Sequence, residues 1–532
     1  MSDCYLTSRA VQPEPIPSIM LATVPCATTY GVEAHIVSVE TNVAFGLPRF
    51  FLSGLPDRAV SESANRVEAA LKNSGREFPR GRITVNLAPA DLPKEGSAFD
   101  LPIAVGLLVA SGQLRTAQLA GSVLLGELAL DGTLRPVKGV LPVALEARER
   151  GFRHILLPAA NAREASVVRG IRVFGFDTLE QVCSWLEMPD TGKAVQTDIE
   201  SLFAASKNRQ GGDFGDVRGQ ENVKRALEIA AAGGHNIILV GPPGSGKTMM
   251  ARRLPSILPP LTVEEALETS KIHSVSGLTA ATGSLVTARP FRAPHHTISG
   301  IALVGGGSVP MPGELSLAHN GILFLDELPE FQRTALEVMR QPLEDGFVTI
   351  SRARFRVRYP SRVMLVASMN PSHSGDWIDP DLASTTDRLQ MQRYLHKISG
   401  PLLDRIDMHI EVRKVPYNEL MTYESGESSK RIRERVFLCR ERQSQRFLGM
   451  KGVFCNAQMD GKLLKSYCTP DPAGTALLRK AMDTLGLSAR AHDRILKVSR
   501  TIADLDGSDS VAAHHIAEAI GYRNLDREGW LG

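Results

Sequence analysis

Gly241, Gly244, Gly246, Lys247 and Thr248 fall within one stretch, NIILVGPPGSGKT (Asn236–Thr248), in the pattern G-x-x-x-x-G-K-T. The chemistry such a loop performs is the capture of a phosphate chain, because glycines let main-chain N–H groups face an anion without Cβ obstruction. In that arrangement Gly241, Pro242, Pro243, Gly244, Ser245 and Gly246 wrap the phosphates. Lys247 reaches the β- and γ-phosphates of a nucleoside triphosphate, and the Thr248 hydroxyl holds a magnesium ion. The same pattern also describes an ordinary glycine-rich turn. The strand-forming IILV before it and the helix-forming MMARRLPSIL behind it supply the context that the phosphate reading requires.

Further chemistry lies downstream. Asp326 and Glu327 close the run GILFLDE (Gly321–Glu327). A buried strand does not easily carry charge, so both acids belong at its exposed carboxyl end, where open α/β sheets bind ligands. Asp326 is then the magnesium partner of Thr248, and Glu327 the base that orients or activates a water. The bland reading is a strand followed by an acidic helix start. Another apolar strand, Val363–Met369, ends in Asn370, and GPLLDRID (Gly400–Asp407) carries Arg405. Asn370 is either a group that hydrogen-bonds the attacking water or a turn residue. Arg405 is either a charge for a transition state or a surface ion-pair partner.

No acid occurs between Asp345 and Asp376, yet Arg352, Arg354, Arg356, Arg358 and Arg362 fall in that interval. The first four alternate with Ala353, Phe355, Val357 and Tyr359. In one strand of period two they would project from a single face at intervals of about 7 Å, comparable to phosphate spacing along a nucleic-acid strand. A solvated hairpin face is the alternative. A second segment, about 272–297, is rich in glycine, threonine and basic groups, including Arg289, Arg292, His295 and His296, and reads as a further loop.

These residues must be positioned by more than one domain. The chain has 532 residues, enough for three or four domains with their own cores, and its 43% hydrophobic and 22% charged content is ordinary for a globular protein. No apolar run approaches the roughly 20 residues of a membrane helix, and no basic-then-apolar signal opens the chain. A membrane role is therefore not expected, and a cytoplasmic location is. Six scattered cysteines without a C-x-x-C pair read as reduced thiols rather than a disulfide framework or zinc site. A net charge of +3 does not by itself announce a polyanion partner.

Residues 1–187 mix alternating segments (HIVSVETNV, RITVNLAPA) with helical ones (AVSESANRVEAALKNSG, LPVALEARERG), an α+β pattern. Residues 188–213 gather Pro, Gly, Ser and polar residues and read as a flexible linker. An α/β core spans 214–415, opening with the helix QENVKRALEIAAAGG, and a helical domain fills 416–532. There SSKRIRERVFLCRERQSQRF forms a helix with an apolar stripe at Ile432, Val436 and Cys439.

Taken together, the phosphate loop, the acidic strand end, Asn370 and Arg405 resemble the AAA+ family. RPFRAPHHTISGIALVGGG (Arg289–Gly307), PGELSLAHNGILFLDELPEF (Pro312–Phe331) and ISGPLLDRID (Ile398–Asp407) are similar to its magnesium-chelatase-like branch, and within it to the ComM family. The resemblance covers about Ala22 to Arg523. It implies an ATP- and magnesium-dependent ring, a hexamer, that acts as a helicase on single-stranded and branched DNA and promotes branch migration in homologous recombination during natural transformation. Asn370 would be sensor 1, Arg405 the finger that reaches the neighbouring subunit's nucleotide, and Arg490, with Arg494 second, sensor 2. The arginine row precedes sensor 1, where related MCM-type helicases carry a channel hairpin, which implies DNA contact. Where many relatives carry a cysteine cluster after sensor 1 this chain has NPSHSGDWIDPD, a departure that puts any metal site there in doubt. Residues 1–187 resemble the proteolytic domain of Lon in LPKEGSAFDLPIAVGLLVASG and LLGELALDGTLRPVKGVLPVALEA. Ala98 stands at the serine position and Leu141 at the lysine position, so the resemblance implies a Lon-like fold without peptidase chemistry. Two other readings stay open: a chelatase-type motor acting on a protein partner, and an ATP-dependent protein remodeller.

Overall fold

The structure is a computed structural model that describes residues 21–189, 192–206, 212–279, 285–307, 309–352, 355–372, 394, 397–415, 426–450 and 452–523. The chain divides into two compact units, one up to Thr197 and the other from Asp198.

In the first unit β1 (Leu21–Tyr30), β2 (Glu33–Ala44), β3 (Arg49–Ser53) and β4 (Arg82–Ala88) form a sheet of order β1-β2-β4-β3, with β3 parallel to β4 and the other pairings antiparallel. Alternation along the strands buries one face beneath the helices Asp100–Ala110 and Val140–Glu149. The first of these helices is apolar nearly all round and buried accordingly. It packs close to the sheet because position 106 is glycine: a Cβ there would stand 2.6 Å from the Thr41 hydroxyl. Asp100 at its start is fully buried and paired with Arg66 at 2.8 Å, an ion pair whose carboxylate burial requires that partner. A separate three-stranded parallel sheet is built from β5 (Ser122–Leu124), β6 (His154–Pro158) and β7 (Arg172–Phe176).

The second unit contains β8 (Ile237–Val240), β9 (Phe291–Arg292), β10 (Ile322–Leu325), the hairpin β11 (Phe347–Arg352) and β12 (Phe355–Pro360), then β13 (Met364–Met369) and β14 (Met408–Glu411). Five of these make one sheet of order β9-β10-β13-β8-β14, parallel throughout. Each of β8, β10 and β13 is buried along its whole length. That is the pattern of a parallel sheet covered on both faces, and it explains their continuous apolar runs. Helices follow at Ser429–Arg446, Gly461–Tyr467, Pro472–Leu485, Ala489–Leu505 and Ala513–Gly521. The expected stripe Ile432, Val436 and Cys439 faces inward, and a buried cluster joins this stripe to β8 and the helix Glu221–Gly233.

Three expectations are corrected. The stretch read as a linker contains a helix, Ile199–Ser206, and Val195 bridges to Val173. The segment 272–297 is a loop only in part: Ile272–Val275 complete a helix, Phe291–Arg292 form β9, residues 280–284 lie outside the described residues, and two of its basic groups are paired, Arg289 with Glu265 at 3.0 Å and Arg292 with Glu314 at 2.6 Å. Nor do the alternating arginines share one strand, because the turn of the β11–β12 hairpin falls among them. Arg352 ends β11 opposite Phe355, Arg356 and Arg358 lie on β12, and Arg354 lies outside the described residues.

Candidate active site

The carboxyl ends of β8, β10 and β13 converge. The Gly241–Gly246 loop leaves β8 through backbone that side chains would obstruct: a Cβ on Gly241 would meet the Val412 carbonyl oxygen at 2.1 Å, and Gly244 and Gly246 hold φ of +75° and +89°. Lys247 then opens the helix Lys247–Arg253. The residue is 8% exposed, and its ammonium donates to the carbonyls of Gly241 (2.6 Å) and Pro242 (2.9 Å) and to Asn370 Oδ1 (3.2 Å). Burial pushes the Lys247 pKa down, against the pull of the Asp326 and Glu327 carboxylates. The Ser245 hydroxyl is buried with no hydrogen-bond partner among the described residues.

Thr248 Oγ1 donates to Asp326 Oδ2 at 2.8 Å, and the Ser368 hydroxyl donates to the other oxygen of the same carboxylate. Glu327 follows β10 in the left-handed region at φ +54°, its N–H donating to Ser368 Oγ at 3.3 Å. Such backbone strain in a residue with a side chain collects at functional sites. Its carboxylate remains exposed, 3.6 Å from His296 Nδ1. The structure thus gathers Lys247, Thr248, Asp326, Glu327 and Asn370 from three strand ends. Sequence reasoning missed Ser368 and placed His296 only in a basic loop. A polar residue inside the apolar run MLVASM was the available signal for Ser368; His296 adjoins Glu327 only because β9 lies parallel beside β10.

Arg405, Arg490 and Arg494 lie at the opposite, amino-terminal edge of the sheet. The Arg405 carbonyl accepts from Asn236, the residue before β8, at 3.1 Å. Its side chain is 9% exposed, the guanidinium hydrogen-bonded to the Arg340 carbonyl at 3.0 Å and paired with Glu344 at 2.7 Å. Arg494 pairs with Asp407 at 2.6 Å, while Arg490, more exposed, stands 3.6 Å from Asp404. The length of β8, roughly 13 Å, separates this group from Lys247 of the same chain. A cavity of about 460 Å³ opens at this edge, lined by Arg289, Arg362, Arg440, Arg494 and Lys497 and by Glu265, Glu344 and Asp407. Burial alone would raise the Asp407 carboxyl, but Arg494, His235 and Lys497 hold it well below the usual range.

On the hairpin, Arg356 and Arg358 are exposed and Val357 and Tyr359 are buried. The Arg358 guanidinium lies 4.4 Å from the centroid of the Phe347 ring. Tyr359 donates its hydroxyl to the Pro310 carbonyl at 2.7 Å, which ties β12 to a smaller hairpin pairing Gly305–Gly306 with Met311–Pro312. That smaller hairpin, with Val309 46% exposed near its tip, was signalled by the turn-rich GGGSVPMPG but not anticipated.

In the first unit Ser97 donates to the Glu127 carboxylate, Lys138 is exposed, and Leu141 is fully buried. Burial pushes the thiols of Cys183, Cys439 and Cys468 up to about 12, far from the range of a reactive thiolate.

A parallel sheet of this order, carrying this loop and these strand-end residues, defines a phosphate-loop domain of the AAA+ class. Residues 213–420 match the family model for magnesium chelatase subunit ChlI, residues 39–161 match a second model for subunit ChlI of magnesium chelatase, and residues 426–523 match the ChlI C-terminal model. The chain is 45% identical over 509 residues to the uncharacterized protein YifB of Salmonella typhimurium, covering 95% of this chain and 98% of that one. It is 44% identical over 508 residues to competence protein ComM of Haemophilus influenzae, with the same coverage. A third relative, the uncharacterized protein Rv2897c of Mycobacterium tuberculosis, is 43% identical over 498 residues, 93% of this chain and 96% of its own. The chain therefore belongs to the magnesium-chelatase-like family that includes ComM and YifB. Among the described residues no helix is long and apolar enough to cross a membrane.

Proposed function

We propose that this protein is an ATP-driven DNA motor, a hexameric helicase that promotes branch migration while strands recombine. The observation that carries the ATPase part is the convergence of Lys247, Thr248, Asp326, Glu327 and Asn370 at one sheet edge. The residues fit a magnesium nucleotide: Ser245 offers a buried, unpartnered hydroxyl, Lys247 an ammonium held among carbonyls, and Thr248 with Asp326 a paired oxygen set. A magnesium ion held by Thr248 and Asp326 would neutralise phosphate charge. Lys247 grips the phosphates, Glu327 orients the attacking water, and Asn370 reports on the γ-phosphate.

Arg405 and Arg494, a strand's length from Lys247, serve the neighbouring subunit's nucleotide, with Arg490 beside them. A ring is what brings the two edges of the sheet together. Arg356 and Arg358 on the hairpin contact DNA, and recombination during natural transformation follows the Haemophilus relative's designation as a competence protein. The first unit is a Lon-like fold without peptidase chemistry, since Ala98 offers no nucleophile and Leu141 no base.

The test is ATP hydrolysis with and without single-stranded, duplex and branched DNA, with Glu327→Gln as the blank. DNA stimulation that vanishes when Arg356 and Arg358 are replaced supports the motor. A rate indifferent to every DNA, but raised by polypeptide, would favour a protein-remodelling ATPase.

A further inference from the structure

The first unit carries a surface that the ATP site does not use. Cross-strand register sorts its four-stranded sheet into two faces. On one, Val39, Ile83, Val85 and Leu87 are buried beneath helices. On the other, three rows cross the adjacent strands: Arg49 opposite Arg82, Phe51 opposite Thr84, and Ser53 opposite Asn86. Residues of this face are exposed or half-buried. Phe51 is 41% exposed, and Phe45 and Leu47, in the turn leading into β3, are 87% and 82% exposed. The Arg82 guanidinium stands 5.2 Å from the centroid of the Phe51 ring. Arg49, Arg80 and Arg82 are exposed and form no ion pair among the described residues. Glu40, on the same face, accepts from Asn86 Nδ2 at 2.9 Å.

We propose that this sheet face binds single-stranded DNA, its bases stacking on Phe51 and Phe45 and its phosphates lying along Arg49 and Arg82. Successive rows are about 7 Å apart, close to the phosphate spacing of an extended strand. An exposed aromatic flanked by cations without carboxylate partners suits a polyanion that offers flat apolar faces. A duplex cannot present its base faces, so single strands are preferred. Charge complementarity favours nucleic acid over an apolar protein partner, which would leave the arginines on the sheet face without counter-charge. The inference rests on the reading of the chain as a DNA motor and gives the strand a second place of contact.

The test uses the full chain and a fluorescein-labelled oligothymidylate, titrated by anisotropy without nucleotide. The Phe51→Ala, Arg82→Ala double variant is expected to bind about tenfold more weakly, with ATP hydrolysis in the absence of DNA unchanged. Phe51→Trp restores affinity, and its emission is quenched on binding. An oligonucleotide carrying 5-iodouracil crosslinks to the tryptic peptide Phe50–Arg58. Unaltered affinity in the double variant, while Arg356→Ala with Arg358→Ala abolishes binding, overturns the sheet site and leaves the motor reading standing. Absence of DNA binding by the parent chain overturns both. Equal affinity for duplex, or a protein ligand that displaces no DNA but depends on Phe51, overturns the assignment to single strands.

Discussion

The Lys247 ammonium and the Asn370 side-chain oxygen lie 3.2 Å apart, joining the first helical turn after β8 to the end of β13. The same ammonium is shared with two loop carbonyls, so it is positioned by groups that a phosphate would replace as acceptors. Lys247→Ala removes the one buried cation of the loop. Nucleotide affinity is expected to fall by about a hundredfold, the scale of one or two charge-assisted hydrogen bonds. If Glu327 orients the water as proposed, Glu327→Gln keeps the shape and should retain nucleotide while hydrolysis falls by roughly 10²–10⁴. Equilibrium binding of a fluorescent ATP analogue and single-turnover hydrolysis separate the two. Parent-like affinity in Lys247→Ala would count against the site.

How much of this was legible follows from sequence separation. The phosphate loop is contiguous, and its glycines and Lys247 declare themselves by local pattern. Asp326 and Glu327 were readable because a buried strand must expel charge at its end. The partner of Arg289 lies 24 residues away at Glu265, and no periodicity announces that pairing; hence a buried ion pair passed for a basic loop. The arginine row failed for a local reason: period two says nothing of where a strand reverses, and the reversal falls between Arg352 and Phe355. That β8 and β14 run parallel, which puts Lys247 beyond one strand's carboxyl end and Arg405 before the other's amino end, is a long-range property that no single segment carries.

The hairpin makes a salt-dependent prediction. Each phosphate contact contributes roughly 0.7 to the slope of log affinity against log salt for single strands. Replacing Arg356 and Arg358 by alanine is expected to lower that slope by about 1.4 in total, to abolish DNA stimulation, and to leave hydrolysis without DNA within twofold. Val357 and Tyr359, not the arginines, bury the hairpin, so folding should be retained. A slope equal to the parent's would remove these arginines from the interface.

Stability should fall toward mildly acid pH. His409, His235 and His273 are buried, and burial is the main cause that lowers each pKa. Below an ordinary histidine pKa of about 6.5 the unfolded chain binds protons at these rings more readily than the folded chain, whose ring pKa values burial lowers. Stability is therefore full above that pH and lost as pH falls, by up to about 1.4 kcal/mol per pH unit for each histidine that titrates only when unfolded. The thermal midpoint at pH 5.5 should lie below that at pH 8, and His409→Gln should flatten the difference. A midpoint unchanged or higher at pH 5.5 would contradict the assignment of these rings as neutral in the fold.

Arg405 and Lys247, on opposite sheet edges, give the ring its sharpest test. An arginine serving its own chain's nucleotide would make Arg405→Ala a defect that no other subunit could repair. In a head-to-tail ring each nucleotide sits between the Lys247 of one subunit and the Arg405 of the next. Arg405→Ala is then expected to bind ATP like the parent but to lose about 10³ in turnover, the scale of an arginine finger. Mixing it with inactive Lys247→Ala should restore hydrolysis, because about a quarter of the interfaces in randomly mixed rings pair an intact lysine with an intact arginine. Because Arg405 also anchors to Glu344 and the Arg340 carbonyl, Arg405→Ala could lose activity simply by loosening its own fold. Such damage stays with its own subunit, so recovery on mixing separates the two causes: a mixture as inactive as its components would return Arg405 to a structural role.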